Sequence, residues 1–307
     1  MGEPERRKGY QAGVKSPLGA HSVLLPAAKA RHSSPPALGV VTDTAEWSGA
    51  RSVLQPARRT EMSVGRHASL IIQARILSSA QRAILSPMCN LYSITKGQAA
   101  IRELARAIRD RTGNLRPLPG VFPDYAAPIV RTAPDGVREL AMARWGMPSP
   151  AFALKGKKTD PGVTNVRNTK SAHWRRWLGP DNRCLVPFTS FSEPEPQSDG
   201  KRPPAWFALG EDRPLAFFAG IWVGGWKSIR KVKEGEVEAD LFAFLTTEPN
   251  AEVGSLHPKA MPVVLTEPEE IETWMTAPAA DALALQRPLP DGALRIVARG
   301  RKMDGDA

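Results

Sequence analysis

The chain has 307 residues, 42% of them hydrophobic, with a formal net charge of +11, so it is long enough for one large domain or two small ones with a real core. Two cysteines, Cys89 and Cys184, are too few for a disulfide scaffold or a thiolate zinc site, and no apolar run of about 18 residues or signal-peptide core is present. The excess of positive charge points to an anionic partner, with nucleic acid first.

Residues 1–87 carry 12 Lys/Arg against 5 Asp/Glu, and the remainder carries 30 against 26, so most of the net charge lies in the first segment. That segment is rich in Pro, Ser, Ala and Arg and lacks a sustained period of 2 or 3.6 residues. Such a composition buries too little apolar surface to fold. It is expected to be unfolded, or to precede the true initiator, Met88. The acid-free stretch "HASLIIQARILSSAQRAIL" admits a transit peptide as a further reading.

From Met88 the pattern changes. Ile101, Leu104, Ala105 and Ile108 fall on one face of an expected helix, capped by Thr95 and stopped at Gly113. Pro-rich loops follow, then strand-like runs: "RELAMARWGM", "RCLVPFTSF", "PAWFALG", "PLAFFAGIWVG", "DLFAFLTTE", "MPVVLT" and "ALRIVARG". The turn Gly210 to Pro214 between two apolar runs predicts a hairpin. Thr266 and Glu269 have capping-box spacing at the start of a helix in "TEPEEIETWM". With no βαβ rhythm, repeat or phosphate loop, the expected fold is α+β: one compact domain of mostly antiparallel strands with flanking helices, over residues 88–300. Residues 301–307 read as a polar tail.

If everything before Cys89 is absent, that residue carries both a thiol and an α-amine, with ordinary pKa values of about 8.5 and 7.7–8.0. The amine can attack an aldehyde to give an imine, and the thiolate can close a five-membered thiazolidine on the same carbon. An internal cysteine cannot do this, and the ordinary fate of a free cysteine is burial as a small hydrophobe. His257, in "GSLHPKAMPVVLT", stands in a loop before a strand and suits acid–base work near neutral pH, or is a solvated loop residue. Glu193, just past "RCLVPFTSF", is either an acid raised by burial or an exposed turn carboxylate. Asn165 and Arg167 share a side if "TNVRN" is extended: Asn to hold an oxygen, Arg to clamp a phosphate. Trp145 beside Arg144 suits base stacking, or is core. His173 lies in a basic aromatic cluster, "KSAHWRRW".

Met88-Cys89, "TNVRNTK", "RCLVP" followed by a glutamate, and His257 before Met261-Pro262 occur in an order that resembles the SOS response-associated peptidase (SRAP) family. The resemblance spans about residues 88–300. It implies a compact domain with a basic groove for single-stranded DNA, in which an N-terminal cysteine crosslinks to the ring-opened aldehyde of an abasic site, and a peptidase activity that exposes that cysteine. Carried onto this sequence, it implies Cys89 as nucleophile, Asn165 as the residue positioning the cysteine and the sugar oxygen, Glu193 as the acid, and His257 near the sugar, assisting crosslink reversal or strand scission. Arg167, Trp145, Gly146 and Thr246 are the implied DNA contacts. The chain departs from the common family pattern at Asn90-Leu91, where Gly-Arg is frequent, at Asn168 to Lys170, where a glutamate is lost, and at Pro194, where a tryptophan is frequent.

The expectation is thus a cytoplasmic, nucleoid-associated monomer that acts on single-stranded DNA with abasic sites, without metal, small-molecule cofactor or membrane. Two other classes remain open: a Cys–His protease acting on other proteins, and a non-catalytic single-strand binding module.

Overall fold

The computed structural model describes residues 91–305. Met88, Cys89 and the expected unfolded segment 1–87 lie outside the described residues. The first elements are β1 (Tyr92–Ile94), α1 (Gln98–Leu104), β2 (Arg109–Asp110), β3 (Leu118–Val121), β4 (Ala126–Thr132) and β5 (Arg138–Trp145). Then come α2 (Ala151–Leu154), β6 (Asn165–Val166), α3 (Ala172–Arg175), β7 (Arg183–Phe188), β8 (Ser190–Pro194) and β9 (Pro204–Ala208). Two long strands follow, β10 (Ala216–Ile229) and β11 (Glu236–Thr247). The chain finishes with α4 (Ala251–Gly254), β12 (Met261–Pro262), β13 (Val264–Leu265), α5 (Pro268–Thr276), α6 (Ala279–Leu283) and β14 (Arg295–Arg299).

The strands form two sheets, so the α+β expectation holds. One sheet has the order β14-β9-β8-β1-β3, with every pairing antiparallel. The other runs β12-β11-β10-β7-β4-β5-β2. A parallel pairing of β11 with β5, through Leu241↔Arg144 and Phe242↔Trp145, closes β5-β4-β7-β10-β11 into a ring. The first half of β10, "AFFAGIW", is buried on both faces, which is why it reads as a continuous apolar run.

The run "RCLVPFTSF" supplies strands to both sheets. It leaves the ring after Phe188 and enters the other sheet at Ser190. The corner is Thr189, whose N–H donates to Ser93 O at 2.7 Å, while its Oγ1 accepts the N–H of Thr95 at 3.2 Å. β1 is therefore tied to the point where the chain changes sheets. From β1, the Tyr92 ring reaches across to the ring strands. It meets Trp145 edge-on at 5.0 Å, Phe218 at 5.8 Å and Phe244 at 6.0 Å.

Local signals misplaced four features. The turn from Gly210 to Pro214 is not a hairpin, because β9 pairs with β8 and β14 while β10 pairs with β7, β11 and β13. Helix α1 ends at Leu104, since Arg106 adopts φ +52° and the Arg102 side chain caps the carbonyls of Ala107 and Ile108. Ile108 is consequently exposed and Gly97, not Thr95, precedes the helix. The α5 capping box is Glu267 with Glu270, one residue later than expected, because Pro268 sets the first helical position. Finally, Asp304 of the expected tail is buried, held by Ser190 Oγ at 2.6 Å and the Arg213 guanidinium at 2.7 Å.

Tyr92→Ala should cost about 3–5 kcal/mol, the range for deleting a fully buried aromatic side chain. Urea unfolding checks it; a loss under about 1 kcal/mol would show that Tyr92 does not join the sheets.

Candidate active site

Glu193 belongs to β8 and pairs in register with Ala205 of β9. Its side chain is fully buried. His257 comes from the connection between β11 and β12 of the other sheet, three residues beyond α4 and four before β12. Its backbone N–H donates to Val253 O at 2.8 Å, which prolongs the helical turn and sets the direction of the side chain. Asn250 caps α4 by accepting the Val253 N–H at 3.2 Å. His257 Nδ1 then lies 3.0 Å from Glu193 Oε2.

The Glu193 carboxylate raises the pKa of His257 above its ordinary value near 6.5; burial opposes this, and the Ala260 carbonyl adds to it. An imidazolium beside a buried carboxylate can give a proton and take it back. The pair's contribution to stability is full below the unfolded histidine pKa and is lost as pH rises through the raised folded value.

Asn165 sits where β6 pairs in parallel with β11, opposite Phe244. Its Nδ2 donates to Thr164 Oγ1 at 3.1 Å. Val166 is buried while Asn165 and Arg167 are more open, so those two share a side as expected. Arg167 is exposed; its guanidinium reaches Glu248 at 3.4 Å and the Lys259 carbonyl at 3.5 Å, two residues from His257. Thr246, buried on β11 opposite Pro262, has an Oγ1 without a partner among the described residues. Cys89 lies outside the described residues, but Leu91, two residues on, accepts the N–H of Ser192 at 2.9 Å, directly beside Glu193.

Two expected DNA contacts need correction. Trp145 is 1% exposed, stacked on Phe244 at 5.2 Å, with its indole N–H given to Thr164 O at 3.1 Å. It cannot stack on a base as the fold stands; it supports the segment that carries Asn165. Gly146 donates to Phe242 O at 2.7 Å, and its carbonyl accepts the buried Arg230 guanidinium. A Cβ at the facing Gly162 would lie 2.1 Å from Arg230 Nη1, so Gly146 and Gly162 make room for an arginine of the protein itself.

Sequence reasoning missed Arg230 and Gln286. The Gln286 amide donates to the carbonyls of Arg167 at 2.8 Å and Thr246 at 2.9 Å, and its oxygen accepts from Thr169 at 3.0 Å. It stitches the Asn165 segment to β11 from an unpatterned loop that carries no sequence signal. Among the described residues, no group of three or more His, Cys, Asp or Glu is arranged to hold a metal ion.

The family model described as SOS response associated peptidase (SRAP) matches residues 88–301. The chain belongs to the SOS response-associated peptidase family. The SRAP match runs from the methionine before Cys89 to two residues past β14. Among solved structures, a protein from Bordetella bronchiseptica is 24% identical, with 67% of this chain and 97% of that chain covered and a TM-score of 0.51. A protein from Bacteroides thetaiotaomicron is 20% identical, covering 67% and 90%, with a TM-score of 0.49. A phage-related protein from Bordetella bronchiseptica is also 20% identical, covering 67% and 92%, with a TM-score of 0.49. No curated protein matches the chain. SRAP membership places the chain in a DNA-damage setting and fits a DNA-related partner. No helix among the described residues is long and apolar enough to cross a membrane.

A histidine titration by NMR should find His257 above the ordinary value near 6.5, with Glu193→Gln bringing it below. An unchanged His257 titration in that variant would dissolve the pair.

Proposed function

We infer that the chain senses abasic sites in single-stranded DNA and crosslinks to them through the α-amine and thiol of Cys89, once residues 1–88 are absent. The observation that carries this reading is the Glu193–His257 pair, 3.0 Å apart, beside the strand that leads from Cys89. Two residues of chain span at most about 7 Å, so Cys89 is tethered close to Leu91, whose carbonyl is bonded to the neighbour of Glu193. SRAP membership supports the same reading.

The chemistry balances simply. The open form of the abasic sugar presents an aldehyde. The Cys89 amine adds to it, and one water leaves as the imine forms. The thiol sulfur adds to the imine carbon while the nitrogen takes up a proton, giving a thiazolidine. Aldehyde and aminothiol thus become ring plus water. The protonated His257 supplies the proton that water needs to leave, and Glu193 stabilises the imidazolium between transfers. Asn165 holds the sugar oxygen, and Arg167 meets a phosphate. Where residues precede Cys89, the same thiol and His257 are suited to hydrolysing the Met88–Cys89 bond. The chain acts as a monomer, in the cytoplasm and at the nucleoid.

A Cys–His protease acting on other proteins is the second reading, favoured by a carboxylate set against a histidine ring nitrogen, as an orienting acid would be. The amine separates the two, since a protease needs only the thiol. Acetylating the mature N-terminus should abolish crosslinking and spare proteolysis. Cys89→Ala should form no stable adduct, whereas Glu193→Gln should slow formation by about 10²- to 10⁴-fold. Timed crosslinking to an abasic oligonucleotide checks both; full-rate crosslinking by an acetylated chain would exclude the aminothiol route. Arg167→Ala should weaken DNA binding for every sequence and lower the salt slope by about 0.7.

A further inference from the structure

Beyond β14 the chain is exposed at Arg301, Lys302, Met303 and Gly305, yet Asp304 among them is buried. Asp304 lies past residue 301, where the SRAP match ends. Its backbone N–H donates to Pro119 O of β3 at 2.8 Å, and its carbonyl accepts the Ser93 hydroxyl of β1 at 2.7 Å. Its carboxylate accepts the Ser190 hydroxyl of β8 at 2.6 Å and the Arg213 guanidinium at 2.7 and 2.8 Å. One residue thus joins three adjacent strands of the β14-β9-β8-β1-β3 sheet.

Arg213 sits in the Gly210–Pro214 turn with φ +51°, a left-handed conformation uncommon for a residue with a side chain. Such conformations persist where the surroundings hold them. Here two bonds to the Asp304 carboxylate and one to Val297 O at 3.3 Å hold the guanidinium. That gives a use to a turn that joins no hairpin. Burial pushes the Asp304 carboxyl up, but Arg213 and Ser190 outweigh it, and its pKa lies below the ordinary carboxylate value. Asp304 is therefore an anion at neutral pH. Gly305 follows it at φ +101°, and a Cβ there would lie 2.5 Å from Thr95 Cγ2, so glycine lets the segment close on the end of β1.

Ser93 and Ser190 are a register pair between β1 and β8, so both hydroxyls leave the same face of the sheet. Tyr92 and Phe191 form the next pair and face the other way, into the core. Glu193, two residues past Phe191 on β8, shares that inner face. Cys89 is four residues before Ser93, at most about 14 Å of chain. Cys89 therefore precedes one, and Glu193 lies on the other, of the two strands that Asp304 binds together. We propose that Asp304 is a positioning residue for the Cys89 chemistry, clasping Ser93 and Ser190 so that the strand leading from Cys89 is held at a fixed spacing from the strand carrying Glu193. The inference rests on the reading that Cys89 and the Glu193–His257 pair act on an abasic aldehyde.

The test uses the protein with its mature N-terminus and two aldehydes, an abasic single-stranded oligodeoxynucleotide and propanal. Propanal reaches a free aminothiol wherever it lies, so its rate reports the reactivity of the Cys89 amine and thiol alone. Asp304→Ala should lower the maximal rate of abasic crosslinking by about 100-fold, the cost of misplacing a reacting group by about 1 Å. The oligonucleotide concentration giving half that rate should stay parental, and so should the propanal rate. Asp304→Asn keeps an oxygen for the Ser190 hydroxyl and should recover part of the loss. Backbone hydrogen exchange across β1 should speed up in Asp304→Ala. Should Asp304→Ala fail to fold, Ser93→Ala, which removes a single bond to the clasp, carries the test with a smaller loss in the same direction. If the parent crosslinks and the variants match it, Asp304 is not a positioning residue and the function stands. A loss that lies in the half-saturating concentration, or that propanal shares, also overturns positioning. If the parent does not crosslink while exchange across β1 rises in the variant, the clasp stands and the crosslinking chemistry falls. Parental exchange across β1 in Asp304→Ala overturns the clasp itself.

Discussion

The site depends on how β1 is held. This strand is only three residues long, yet it is an interior strand, flanked by β8 and β3, and its first residue drives an aromatic ring into the other sheet. Tyr92 touches Trp145, Phe218 and Phe244, which come from three different strands of the closed ring. Short strands have little pairing of their own to fix their position. Here the fixing comes from edge-on ring contacts, each worth about 0.5–1.5 kcal/mol beyond area burial, and from the Thr189 corner. In the proposed function, where Cys89 is the chain end, β1 is the anchor a few residues inward of it.

The same junction brings the acid and the histidine together. Glu193 is carried by the open sheet, and His257 by a loop between strands of the closed one. Neither sheet alone contains the pair. Because Glu193 is buried, its carboxylate favours the imidazolium form of His257 from within the protein. Trp145 and Gln286 act at one remove. One bonds to Thr164 and the other to the carbonyls of Arg167 and Thr246, so the Asn165 segment is fixed from both ends. The candidate site residues are therefore spread over the sequence while a few side chains hold their segments.

Much of this was legible in the chain. The doubly buried strands announced themselves as apolar runs, and Asn165, Glu193 and His257 stood out by residue type and order as candidates, of which the fold brings Glu193 and His257 within 3.0 Å while Cys89 lies outside the described residues. Contacts between sheets were not legible, because local turn chemistry specifies that a chain reverses and not which sheet receives it. The Gly210–Pro214 turn is the example: its residues suit a hairpin, but β9 is already paired on both sides by β8 and β14. Trp145 misled for a related reason. Beside Arg144 it reads as a stacking pair, yet neighbours on a strand face opposite ways, so Arg144 goes out to Asp124 at 2.6 Å and Trp145 goes into the core. Ile108 continued the helical period past the point where Arg106 leaves the helix.

The most direct measurement is the chemical identity of the linkage. The chain is reacted with an abasic single strand, digested with protease and nuclease, and the nucleotide-bearing peptide sequenced by mass spectrometry. The account predicts an adduct on the peptide that begins with Cys89, at the summed mass of peptide and nucleotide less one water, with both the amine and the thiol blocked. An adduct on a lysine, on Cys184, or on a Cys89 that still has Met88 attached would contradict it.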